Sequence, residues 1–339
     1  MDTPPRKFSR TILLSSILIC VCLGIAVVVV PRGGNGESSA PVVEKSSLSL
    51  DDIRERSGFD GDRAYGYLKQ LCEIGPRRSG SEGMKAQQKL LTDHFTKLGG
   101  KVRLQQFGYH HPLDNSVVPM ANLIVEWHPQ RKRRILLCTH YDTLPFPMLD
   151  RDNPRGTFIG ANDGGSGVAL LMELGNHIKD LPGEYGVDFV FFDAEEFLFD
   201  PNGRFFVGSE WFARDYHDNP PQHKYRWGVL LDMIGDKQLR IPQERNSISW
   251  RDTRPLVKNI WKIARELGVS EFVPERGVRV NDDHLPLHNI AKIPTCDIID
   301  FDYPPWHTQG DTLDKCSGLS LAKVGFVIKE WLKRLDDRG

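Results

Sequence analysis

The chain has 339 residues, with 44 Lys and Arg against 45 Asp and Glu and a formal net charge of −1. That balance lacks the basic excess by which proteins hold phosphate backbones, so nothing points to a nucleic-acid partner. Hydrophobic residues at 40% and charged residues at 26% describe an ordinary globular protein, and six scattered cysteines without a CxxC pair exclude a disulfide scaffold, a zinc finger and a thioredoxin-like redox motif.

Thr11–Val30 (TILLSSILICVCLGIAVVVV) holds no charged residue. As a helix rising about 1.5 Å per residue it spans about 30 Å, the hydrocarbon thickness of a bilayer. Arg6, Lys7 and Arg10 precede it, which by the positive-inside tendency makes residues 1–10 a cytoplasmic tail. The expectation is a single-pass, membrane-anchored protein with residues 11–30 as signal-anchor. Its remainder then lies on the non-cytoplasmic side, in a bacterial envelope or periplasm or in a eukaryotic secretory lumen. A cleaved signal peptide is the alternative, although its apolar region ordinarily covers about 7–15 residues. Residues 31–55, rich in Gly, Ser and Pro, read as a flexible linker, and residues 56–339 as one catalytic domain.

Within that domain helical spacing covers Ala64–Ile74 and Met84–Leu98, the second stopped by Gly99 and Gly100. Strand-like runs follow at Val102–Phe107, Ala121–Trp127 and Arg134–His140. A glycine-rich turn, GANDGGSG, leads into a helical run over Val168–Ile178. VDFVFFDAEEF, apolar on both faces, reads as a fully buried strand. Trp227–Met233 and Thr295–Ile299 read as further buried strands, and Pro255–Leu267 and Ser320–Leu335 as helices. The alternation predicts a three-layer α/β/α fold whose mixed, largely parallel central sheet carries helices on both faces. Functional residues in such sheets gather beyond the carboxyl ends of the strands.

Polar residues sit at those ends. RILLCTHYDT closes on His140 and Asp142, VDFVFFDAEEF on Asp193, Glu195 and Glu196, and WGVLLDMIGD on Asp232. Asp163 lies in the glycine-rich turn, Asp282, Asp283 and His284 open a loop, and His307 follows a strand-like segment ending near Asp302. Taken singly, each serves equally well as a cap, a turn residue or a satisfied polar group of the core. Together they are less ordinary, because carboxylates converging at the edge of an apolar sheet repel one another unless a cation lies among them. Zinc held by Asp, Glu and His, with a position left open for substrate, meets that need. Neighbouring side chains of an extended strand point to opposite faces, so Glu195 and Glu196 share one site only if the chain turns there.

GANDGGSGVALLMEL, FFDAEEF, LLDMIGD, NDDHLPL and PPWHT, in that order, and the opening IGPRRSGSEGMKAQQKLLTDHF resemble the zinc-dependent glutaminyl-peptide cyclotransferases. These are relatives of the zinc aminopeptidases of the bacterial leucyl aminopeptidase type. The resemblance implies a zinc exopeptidase-like fold, N-terminal glutaminyl peptides or proteins as partners, and their conversion to pyroglutamate with release of ammonia. Carried over by position, it implies that Asp163, Glu196 and His307 ligate one catalytic zinc. Glu195 becomes the general acid/base, Asp232 and Asp283 its proton network, and Trp306 and His284 part of the substrate pocket. His140 and Asp142 match the HxD motif, whose histidine ligates a second zinc in the aminopeptidases, so a second metal or a supporting role stays open. The chain departs from the animal enzymes after the paired glutamates, where a tryptophan is expected and FLFDPNGRFF stands. Phe197, Phe199 and Phe205 are the candidates for that wall.

Two other functions compete: a zinc aminopeptidase with one or two metals, in which Glu195 activates a water, and a catalytically inactive binding domain. A nucleotide site does not, since NDGGSG lacks both the GxGxxG spacing and the Walker lysine. Cys138 and Cys296 read as small core residues, and Cys72 and Cys316 either pair or stay free.

Overall fold

The computed structural model describes residues 47–199 and 203–335. Side-chain caps start the first three helices. Ser49, Asp60 and Ser81 each accept the amide three residues on, opening α1 (Leu50–Ser57), α2 (Gly61–Ile74) and α3 (Glu82–Leu98). Left-handed Gly99 ends α3. Ile53 of α1 is fully buried, so folded chain begins inside the stretch expected to be linker, and the boundary at residue 56 falls within a packed helix.

Strands β1 (Lys101–His110), β2 (Val117–Trp127) and β3 (Arg133–His140) lead through α4 (Ser166–Ile178) to β4 (Tyr185–Phe192). The two-residue pair β5 (Glu196–Phe197) and β6 (Arg204–Phe205) precedes α5 (Val207–Asp218) and β7 (Lys224–Asp232). β8 (Ile241–Gln243), α6 (Arg245–Ser249), α7 (Arg254–Leu267) and β9 (Phe272–Arg276) follow. Last come α8 (His284–Asn289), β10 (Thr295–Ile299) and α9 (Gly318–Lys333).

The main sheet has the order β1-β2-β4-β3-β7-β10. β4, β3, β7 and β10 run parallel, while β2 joins β4 antiparallel and β1 joins β2 antiparallel. This is the mixed, largely parallel sheet expected. Its faces carry separate cores, because alternate residues of a strand point to opposite sides. Leu123, Leu137, Phe189, Phe191, Leu231 and Ile298 pack with α2, α3, α4, α7 and α9. Ile124, Leu136, Val190, Phe192 and Leu230 pack with α5 and α8. β4 is buried along its whole length, which is why both of its faces are apolar. α4 starts tight against the sheet: a Cβ at Gly167 would lie 2.3 Å from Thr139 Oγ1 and 2.5 Å from the Leu231 carbonyl.

The membrane expectation does not stand. Among the described residues no helix is long and apolar enough to cross a membrane; α3, with 17 residues, carries Lys85, Lys89, Asp93 and Lys97 along its length. Residues 11–30, expected as the anchor, lie outside the described residues, as do the tail 1–10 and most of the linker. The single-pass, membrane-anchored, non-cytoplasmic placement is corrected on that finding, and no membrane partner is assigned. Cys72 and Cys316 are both free.

Candidate active site

Because β3, β4, β7 and β10 run parallel, their carboxyl ends share one edge of the sheet, and several of the expected side chains meet there. His140 closes β3, Glu195 and Glu196 follow β4, Asp232 closes β7 and His307 follows β10. Asp163 comes from the turn before α4. In that turn Gly164 has φ 79, and a Cβ there would lie 2.3 Å from the Asp142 carbonyl, so only glycine admits the approach.

The adjacent glutamates reach one site because the chain turns between strand and hairpin. β4 ends at Phe192, and Ala194 takes φ 57. Asp142 ties the turn down: its Oδ1 accepts the Glu195 amide at 3.0 Å and its Oδ2 the Glu196 amide at 3.1 Å. With each oxygen accepting a backbone amide, Asp142 holds the turn that carries the two glutamates. Phe206 (φ 63), Met233 (φ 46) and His307 (φ 58) are also left-handed. Such conformations cost about 1–3 kcal/mol each and persist where side-chain placement demands them; here all four border the site.

Two histidines flank Asp163. His140 Nε2 lies 3.2 Å from Asp163 Oδ1 and equally far from Asp232 Oδ1. His307 Nε2 lies 2.9 Å from Glu196 Oε1 and 3.5 Å from Asp163 Oδ2. The other Glu196 oxygen accepts the Leu144 amide at 2.8 Å. Asp311, absent from the motif reading, orients the Asp163 turn by accepting the Asn162 amide at 2.8 Å, the Asp163 amide at 3.0 Å and the Tyr303 hydroxyl at 2.8 Å. Its place four residues after His307 was the one available signal.

The electrostatics ask for a cation. Burial, then Glu196, pushes Asp163 up to about 6, and burial lifts Glu195 and Glu196 well above the usual carboxylate range. Burial lowers His307, favouring the neutral imidazole that binds metals. For His140 burial acts the same way, but Asp142, Asp163 and Asp232 outweigh it and raise the imidazole well above its ordinary value. Donor atoms of His140, Asp163 and Glu196 all lie within 4.8 Å of one another, and Asp163 Oδ2 has no hydrogen-bond partner. Donors about 2.0–2.2 Å from a tetrahedral zinc are separated by roughly 3.3–3.6 Å, close to the distances found. The residues fit zinc.

A cavity of about 320 Å³ opens over this cluster. Asp163, Glu195, Glu196, Asp232, Asp282 and His307 form its buried floor, and Phe205, Phe206, Met233, Val280, Ile299, Phe301 and Trp306 its walls. Trp306 lines it, its ring 3.9 Å from that of His307 and 4.9 Å from that of Phe301. Phe205 supplies the wall in doubt, together with Phe206, which sequence reasoning missed. Phe197 and Phe199 instead pack on His111.

Two expectations are corrected. Asp282, not Asp283, faces the cavity; Asp283 is fully buried beside Ser209. His284 is no pocket residue: it is 0% exposed and lies between Glu244 Oε2 at 3.5 Å and Asp297 Oδ2 at 3.7 Å. α8 begins at His284, and successive side chains entering a helix diverge by roughly 100°, so three adjacent polar residues cannot all face one cavity. Asp282, His284 and Asp297 themselves form a second close group, behind the cavity.

Fold and site define a metallohydrolase-type scaffold. Residues 122–332 match peptidase family M28, and the chain belongs to that family. It is similar to the glutaminyl cyclase of Fimbriiglobus ruber, with 43% identity, a TM-score of 0.79, and 82% of this chain and 96% of that one covered. A Zn-dependent exopeptidase of Parabacteroides distasonis is 30% identical, with a TM-score of 0.76 over 82% and 99% of the two chains. The glutaminyl-peptide cyclotransferase of Bos taurus is 25% identical over 62% of this chain, and the match spans 64% of the bovine protein's length.

Proposed function

We propose that the protein is a zinc-dependent glutaminyl-peptide cyclotransferase, converting the N-terminal glutamine of peptides or proteins to pyroglutamate and releasing ammonia. The turn at Ala194 carries the reading, because it gives two neighbouring carboxylates of one cavity floor different partners: Glu196 meets His307 at 2.9 Å, while Glu195 lies 3.9 Å from His140 Nδ1. Likeness to the Fimbriiglobus ruber glutaminyl cyclase over 96% of its length supports the substrate class. Asp163, Glu196 and His307 would hold one zinc, which when bound supplies a Lewis-acid charge that polarises the glutamine γ-carbonyl.

The chain's own residues do the rest. Phe205, Phe206, Met233, Ile299 and Trp306 exclude water and confine the glutamine to folded-back shapes in which its α-amine reaches its γ-carbonyl, an intramolecular attack that owes much of its rate to orientation. Glu195, its pKa raised by burial and by Glu196, takes a proton from the attacking nitrogen and returns it to the departing one. A carbon–nitrogen bond forms, another breaks, and ammonia leaves. Asp232 and Asp282 line the same cavity and influence each other electrostatically, so the proton network expected through Asp283 is assigned to Asp282. Zinc-loaded protein should release ammonia from a Gln-initiated peptide and leave the same peptide beginning with Leu intact. Ammonia release from neither, with free Leu appearing, would overturn the proposal.

One observation favours a zinc aminopeptidase instead: His140 Nε2 stands 3.2 Å from both Asp163 and Asp232, donors enough for a second ion sharing Asp163. Metal content of His140→Ala separates the two. A one-ion enzyme keeps about one zinc equivalent, whereas a two-ion enzyme falls from about two to one.

A further inference from the structure

Among the described residues lining the cavity, one guanidinium stands at the mouth, that of Arg279. Its backbone is pinned on both sides. The Gly277 amide donates to the Gln243 carbonyl at 2.8 Å, the Arg245 amide to the Val278 carbonyl at 3.0 Å, and the Val280 amide to Glu244 Oε1 at 3.1 Å. Two acids of the adjoining segments are committed elsewhere: Glu244 accepts the Asn246 and Ser247 amides, and Glu275 pairs with Arg240; Asp282 lies on the cavity floor. Arg279 itself is exposed, and among the described residues no hydrogen bond or ion pair engages it.

We infer that Arg279 is a specificity determinant, selecting peptides that carry a carboxylate on the second or third residue. The inference rests on the cyclotransferase reading. A peptide entering amine first brings its terminus to Glu195, Asp232 and Asp282, and its following residues pass the exposed side chains of Arg279 and Phe301. The cavity therefore reverses sign from floor to mouth and aligns a chain that is cationic at its end and anionic just behind it. A lysine in that place meets like charge. Because the pair forms in solvent, the effect is a few-fold in kcat/KM, about two- to fivefold, and it fades as the Debye length shrinks from about 10 Å at 0.1 M salt to about 3 Å at 1 M.

Cyclisation of Gln-Glu-Ala, Gln-Ala-Ala and Gln-Lys-Ala at low salt tests this. The wild type should favour Gln-Glu-Ala over Gln-Lys-Ala by about fivefold or more, combining attraction and repulsion. Arg279→Lys should keep that ratio, Arg279→Ala should bring it near unity, and Arg279→Glu should invert it, with thermal melting to check that each variant is folded. If folded Arg279→Glu cyclises all three peptides with the wild-type ratio, the inference is overturned while the function stands. If the wild type cyclises none of the three, the function reading fails and takes the inference with it.

Discussion

In the proposed mechanism Glu195 and Glu196 are one chemical type given two tasks by their neighbours. Glu195→Gln keeps shape and hydrogen bonding but cannot carry a proton, so turnover should fall by about 10²–10⁴-fold while zinc content stays near that of the parent. Glu196→Gln exchanges an anionic donor beside His307 for a neutral amide, so zinc should bind more weakly and excess metal should restore part of the activity. Metal analysis alongside turnover checks both; zinc lost from Glu195→Gln and kept by Glu196→Gln would reverse the assignment. The sequence marked this pair, and with it Asp163, Asp232 and His307, because each follows an apolar run or sits in a marked turn, while Trp306 came from the family resemblance alone. It pointed to Asp283 and His284, whereas one residue's rotation at the start of α8 puts Asp282 at the cavity. Asp311 and Phe206 were missed for a related reason: a lone aspartate in a turn and a second phenylalanine in GRFF look ordinary until the fold brings them to the site.

Elements were legible where periodicity was strong. The strands and helices that build the main sheet and its larger core fall close to their expected places. VDFVFFDAEEF reads as strand to its end, but β4 stops at Phe192, where the apolar run gives way to Asp193 and the left-handed Ala194 turns the chain. α5 escaped notice because its N-cap is Phe206, with no side-chain cap, so the usual start signal is absent. α6 shows the opposite case, a short helix fixed by one buried acid. Glu244 accepts the Asn246 amide at 2.8 Å and the Ser247 amide at 2.7 Å and faces His284 at 3.5 Å. Despite the cost of burial, these partners hold its carboxyl down to about 2 from an ordinary 4.5. Glu244→Gln should therefore cost about 1–3 kcal/mol in denaturant unfolding near neutral pH. A pKa depressed in the folded state contributes fully above the unfolded value and is lost as pH falls through the folded one. The gap between wild type and variant should thus narrow from about pH 4.5 toward about pH 2. A gap that stays constant across that window would contradict the assignment.

Four parallel strands deliver charge to one edge, and on the zinc reading a bound cation would contribute to stability as well as to chemistry. Floor carboxylates whose pKa values are raised by burial and by one another gain most from a divalent ion, and ligand binding adds about 2.7 kcal/mol at a hundredfold excess over Kd. A chelator should lower the melting temperature by several degrees, and zinc, but not magnesium, should restore it. An unchanged melting curve after complete zinc removal would mean that the cluster is neutralised by protons alone. Family M28 membership and the α/β/α scaffold accommodate both cyclisation and peptide hydrolysis, since the two differ in what attacks the carbonyl rather than in what holds it. The decisive measurement is a mass spectrum of a Gln-initiated peptide after incubation with the zinc-loaded protein. Cyclisation predicts a product that keeps every residue and lacks one ammonia, whereas a product shortened by its first residue would contradict it and make the protein an aminopeptidase.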